Sequence, residues 1–125
     1  MTALLLDTNA FLLWSLGDRR VPTTWVETIL DPANGVFLSA VSAWEIAIKR
    51  RLGKLAFVGT AVDSAEFHGF EWIDVTPADA EAAGALDWSH RDPFDRMLVA
   101  QAAGRGLVVV TTDSLVAEAP GIRTL

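Results

Sequence analysis

The sequence predicts an α/β fold: a central parallel sheet of about five strands with helices on both faces, a three-layer sandwich. Three observations predict it. Short apolar runs, Leu4-Leu5-Leu6, Val36-Phe37-Leu38 and Leu107–Val110, read as strands hidden on both sides. Helix start and stop signals alternate with these runs. Polar residues stand directly after each run: Asp7, Ser39, and Thr111-Thr112-Asp113. In such sheets the ligand crevice lies beyond the carboxyl ends of the strands, so these positions share one rim.

After the first strand, a helix is expected from Thr8 to about Leu16, stopped by Gly17. Thr24-Trp25-Val26-Glu27 has capping-box spacing and predicts a second helix to about Leu30, before Asp31-Pro32. Val36–Leu38 is the next strand. Ser42 to Arg51 reads as a helix, ended by Gly53. Leu55–Val58 carries no clear signal. Ala61–His68 predicts a short helix before Gly69, and Trp72–Val75 a strand. Thr76-Pro77 starts a further helix, with proline at its first position. Asp92-Pro93 opens another, reaching Ala103 and ending at Gly104. Leu107–Val110 is the clearest strand, and Ile122–Leu125 adds a short edge strand.

Composition narrows the function classes. The 125 residues, 51% of them hydrophobic, predict a single domain over 1–125 with a core of its own. No apolar run approaches the ~20 residues that span a bilayer, so no membrane partner is expected. Asp7 interrupts the N-terminal apolar run with no basic segment before it, unlike an export signal. With no cysteine, disulfides and thiolate zinc sites are excluded, and a cytoplasmic setting is expected. Ten Lys and Arg against 16 Asp and Glu give a net charge of −6. That argues against a large non-specific nucleic-acid binder, but not against an enzyme whose acids are offset by bound cations.

Each acid near the rim has a structural and a chemical reading. Asp7 suits a helix N-cap or a metal ligand. Glu45 closes the S-x-x-E pattern Ser42–Glu45 and has Lys49 four residues on, yet it can also face the crevice. Asp92 serves as an N-cap, which leaves Asp95 in surplus, beside apolar Leu98, Val99 and Ala102 at helical spacing. Asp113 suits a cap or turn, or the same rim. Two carboxylates about 5 Å apart repel by roughly 3 kcal/mol at an effective dielectric near 20. A cluster of four therefore needs protonation or a cation. An all-oxygen set suits Mg²⁺ or Mn²⁺, which would activate water for phosphodiester hydrolysis without a protein nucleophile.

Leu5-Leu6-Asp7-Thr8-Asn9, Ser39–Glu45, Asp92–Ala102 with its D-P-F-D-R motif, and Val109–Asp113 together resemble the PIN-domain family. The likeness is greatest to VapC-type toxins of bacterial toxin–antitoxin pairs, and Gly53-Lys54-Leu55 adds to it. The resemblance implies a PIN-like sheet of about five parallel strands. It also implies a Mg²⁺- or Mn²⁺-dependent endoribonuclease acting on RNA, usually a homodimer, silenced by a small cognate antitoxin. Asp7, Glu45, Asp95 and Asp113 match the family's four acids as catalytic residues and metal ligands. Thr8, Asn9, Ser39 and Thr111 match accompanying polar positions. Thr112 stands where many relatives carry arginine.

The five tryptophans, Trp14, Trp25, Trp44, Trp72 and Trp88, read as core or interface aromatics rather than base-stacking platforms. Lys49, Arg50, Arg51 and Lys54 form a basic cluster, either a solvated helix face or a phosphate contact. His68 and His90 lack metal-ligand spacing and read as surface or turn residues. Two other functions compete. A phosphoacceptor domain would need an acidic pair after the first strand, an acceptor Asp after the middle strand and a Lys after the last; here Val75 and Pro77 flank Thr76 at a strand end, and no Lys follows Leu107–Val110. A catalytically silent partner-binding module would not need all four acids.

Overall fold

Leu4, Leu5 and Leu6 are wholly buried, because their strand lies in the middle of the sheet with helices against both faces. The computed structural model describes residues 1–125. The elements in order are β1 (Ala3–Leu6), α1 (Thr8–Ser15), α2 (Thr23–Leu30), β2 (Gly35–Ser39), α3 (Ala40–Arg51) and α4 (Ala61–His68). There follow β3 (Glu71–Ile73), α5 (Pro77–Ala85), α6 (Pro93–Arg105), β4 (Val108–Val110), α7 (Ser114–Ala117) and β5 (Arg123–Thr124). The five strands are all parallel, in the order β3-β2-β1-β4-β5.

Strand alternation divides the core into two layers. Leu4, Leu6, Val36, Leu38 and Val110 pack with Phe11, Trp25, Ile29 and Ile46. Leu5 and Val109 pack on the opposite face with Leu98, Val99, Ala102 and Val116. The chain steps outward from β1 to β2 and β3, then returns to the other flank of β1 for β4 and β5. Strand order therefore reverses between β1 and β4, where an open α/β sheet forms its crevice.

Several boundaries differ from the expected ones. Helix α3 begins at Ala40, capped by the Ser39 hydroxyl accepting from the Val41 N–H at 3.2 Å. Ser42 thus lies inside the helix, where its Oγ accepts from Thr8 Oγ1 at 2.9 Å, and no capping box joins it to Glu45. Helix α2 starts at Thr23 after Pro22, whose carbonyl takes the first helical bonds, so the Thr24–Glu27 box does not form either. The strand expected at Trp72–Val75 is Glu71–Ile73, because its register is set by pairing with Phe37–Ser39. Helix α6 passes Gly104 and ends at Gly106, which takes the left-handed conformation with φ 66°. The one-turn helix α7 carries no start signal beyond Asp113 itself.

Candidate active site

Asp7, Glu45, Asp95 and Asp113 come from four separate segments and line one cavity of about 290 Å³. Asp92 lines it as well, so five carboxylates face a single ammonium, that of Lys49. Thr8 and Asn9 contribute to the same wall.

Topology brings them together. Asp7 leaves β1 at the point where strand order reverses, and its N–H donates to the Val110 carbonyl of β4 at 3.1 Å. Its Oδ1 accepts from the Ala10 N–H at 2.7 Å and caps α1. Asp113 follows β4, and its Oδ1 accepts from the Leu115 N–H at 2.9 Å, capping α7. Glu45 stands on the second turn of α3, and its Oε2 pairs with Lys49 Nζ at 2.9 Å. Asp95 opens α6 behind the Asp92 cap, whose Oδ1 accepts from the N–H groups of Phe94 and Asp95 at 2.9 and 3.1 Å. Asp95 Oδ2 lies 2.7 Å from His90 Nε2. One oxygen of each acid caps or pairs while the side chain still lines the cavity; for Glu45 the pair with Lys49 forms and the capping box does not.

The electrostatics are those of crowded acids. Burial pushes the Asp7 carboxyl up to about 6; the Thr111 hydroxyl and the Ala10 N–H partly oppose this, and the charges of Asp95 and Asp113 add to it. Asp95 is also raised, first by burial, with Asp92 and Asp113 adding and the His90 contact opposing. Negative charge in this cavity is therefore costly without a counter-charge.

The accompanying polar residues divide. Thr8 and Asn9 reach the cavity. Ser39 is fully buried as the α3 cap and does not line the cavity. Thr111 is buried, and its Oγ1 accepts from the Asp113 N–H at 2.9 Å, fixing the start of that turn. The sequence reading of His90 as a surface or turn residue misses its contact with Asp95. Its partner lies five residues ahead, beyond a proline-opened helix start, and no spacing rule marks that pair. The place of Asp92 in the cavity was hidden by its obvious capping role.

No three of these side chains stand together as a formed cation cage. One oxygen of each of the four expected acids has a partner, Ala10, Lys49, His90 or Leu115. The donor set nevertheless fits a hard divalent ion, being all oxygen and short of positive charge.

A parallel α/β sheet with a carboxylate-lined crevice at its strand-order reversal defines the class of protein. The chain belongs to the PIN domain family, whose model matches residues 4–121. No curated protein matches the sequence. Among solved structures, the fold is similar to VapBC2 from Rickettsia felis bound to a DNA fragment from its promoter. That match has TM-score 0.71 at 14% identity and covers 99% of this chain and 98% of that one. It is similar also to DNA-bound VapBC from Salmonella typhimurium, with TM-score 0.69, 24% identity, and 100% and 98% covered. A toxin–antitoxin complex from Klebsiella pneumoniae gives TM-score 0.64 at 21% identity, with 95% and 94% covered. At these identities the likeness is one of fold. No helix is long and apolar enough to cross a membrane.

Proposed function

We propose that the chain, acting as one domain over 1–125, is a divalent-metal-dependent endoribonuclease and the toxin of a toxin–antitoxin pair. The observation that carries this reading is the meeting of Asp7, Glu45, Asp95 and Asp113 in one cavity at the strand-order reversal. Family membership and the fold likeness to VapBC complexes support it.

In this reading Asp7, Glu45, Asp95 and Asp113 would hold Mg²⁺ or Mn²⁺. The bound ion supplies Lewis acidity toward water and the phosphoryl oxygens. Asp7 and Asp113 are fixed by their own helix starts, so their carboxylates are oriented before any ligand arrives. Lys49 holds Glu45 and stands in the cavity wall, where its ammonium can meet a backbone phosphate. The acidic cavity repels RNA until a cation enters, which makes cleavage dependent on the metal. A small antitoxin covering this cavity silences the enzyme, and the working form is a homodimer in a cytoplasmic setting.

The test is RNA cleavage by the purified chain with Mg²⁺ or Mn²⁺, and with chelator. We expect cleavage only with metal. Asp7→Asn and Asp95→Asn should each lower kcat by at least about 100-fold while the circular dichroism spectrum stays unchanged. Full activity of both folded variants would refute the assignment. A catalytically silent partner-binding module would instead show neither cleavage nor divalent-ion binding.

A further inference from the structure

The Arg96 guanidinium points at no carboxylate. Each of its five N–H groups goes to a backbone carbonyl. Nε donates to Ala83 at 3.0 Å, Nη1 to Trp88 and His90 at 2.7 and 3.0 Å, and Nη2 to Gly84 and Leu86 at 3.3 and 2.9 Å. These carbonyls span the end of α5 and the connection into α6. A cation in the first turn of a helix opposes the helix dipole, so α6 itself gains nothing from it. What it fixes is the path of residues 83–90.

That path ends at His90. The His90 carbonyl is held by Arg96, and its ring lies against Trp88 with centroids 4.8 Å apart. Trp88 in turn packs on the Leu5 and Val109 core layer. Held from both sides, the ring places Nε2 2.7 Å from Asp95 Oδ2. When Asp95 is ionised, as a metal-holding carboxylate is, it only accepts, and Nε2 is the donor. The bond fixes one Asp95 oxygen and turns the carboxylate within the cavity.

We propose that His90 is a positioning residue for Asp95, and that Arg96 acts through the five carbonyls to set His90 in place. The proposal rests on the nuclease reading, since it gives a role toward one of the same acids. It explains why a motif whose acid lines the cavity carries an arginine that does not reach it: the arginine orders the strap that bears the histidine.

The experiment measures Mn²⁺ binding by calorimetry, with Mn²⁺ alone, and steady-state RNA cleavage. The proteins are wild type, His90→Ala, His90→Gln and His90→Asn. We expect His90→Ala to lose about 10–100-fold in Mn²⁺ affinity and kcat, the usual effect of removing a partner that orients a ligand, with KM for RNA unchanged. Glutamine places an N–H near the reach of Nε2 and should recover most of the loss. Asparagine places its N–H near Nδ1 and should not. Arg96→Lys offers three donors to five carbonyls, so it should weaken Mn²⁺ binding and lower Tm together. Wild-type affinity and kcat in folded His90→Ala, or equal behaviour of the glutamine and asparagine variants, would overturn the positioning role. Unaltered Mn²⁺ binding in folded Arg96→Lys would overturn the clamp. A wild-type protein that neither binds Mn²⁺ nor cleaves RNA overturns the nuclease reading along with this one.

Discussion

Asp7 shows how one side chain can serve the fold and oppose it. Its Oδ1 caps α1, yet its charge is buried beside two other acids. Because the folded carboxyl is raised to about 6, the folded state holds a proton that the unfolded state releases near the ordinary value of 3.8. Without metal, stability should therefore fall as pH rises from about 4 to about 6, and the loss should be complete above that. A shift of this size corresponds to roughly 3 kcal/mol as an upper figure. Asparagine keeps the cap and removes the charge. Asp7→Asn should therefore raise the metal-free Tm by several degrees at pH 7.5, with little change at pH 4, in thermal melts at both values. Asp7 and Asp95 were legible in the sequence because each follows a strong local signal, a strand end and a Pro-opened helix. His90 was not, since its contact depends on the path of a loop held by Arg96 and by Trp88 against the core.

At the scale of elements, α6 carries the sharpest difference between pattern and structure. Gly104 looks like a helix stop, but α6 continues through it to Arg105. The last turn is held by Arg105, whose Nη1 and Nη2 each donate to one Asp79 carboxylate oxygen at 2.9 Å, tying α6 to α5. That guanidinium keeps the Asp79 carboxyl far below the ordinary range. Its contribution is present above about pH 4 and is lost only in strong acid. Removing the partner with Arg105→Met should cost about 2–3 kcal/mol, seen as a lower urea midpoint at pH 7. The two glycines then separate cleanly. A Cβ at Gly104 meets nothing within 4 Å, and the backbone there is helical, so Gly104→Ala should stabilise by up to about 1 kcal/mol. Gly106 also has room, but its φ of 66° is strained for any other residue. Gly106→Ala should destabilise by roughly 1 kcal/mol, and the opposite signs are readable in paired denaturation curves.

For the whole molecule, a net charge of −6 is less telling than where the acids sit. Five of them line one cavity while the lysines and arginines lie elsewhere, Lys49 excepted. A divalent ion that enters this cavity binds the folded chain alone, so it should stabilise by mass action, about 1.4 kcal/mol at ten times its Kd. Tm should therefore rise with Mg²⁺ or Mn²⁺, and the rise should be smaller in Asp7→Asn and Asp95→Asn. An equal rise with the same ionic strength of NaCl would show screening instead of a site.

The sequence by itself determined the class of fold, because short apolar runs such as Leu4–Leu6, bounded by polar residues and alternating with helix start and stop signals, fit strands covered on both faces. It also marked the rim, because polar residues must begin where those strands surface. Tertiary structure alone decided that Ser42 bonds Thr8 and is no cap, that Asp92 shares the cavity with Asp95, and that His90 reaches that acid. The Ser42–Thr8 and His90–Asp95 contacts join residues whose separation in the chain carries no periodic signal, and the helical spacing of Asp92 and Asp95 reads as a cap alone. They exist because the reversal of strand order between β1 and β4 draws separate helix starts to one place, and because one guanidinium fixes the loop between two helices.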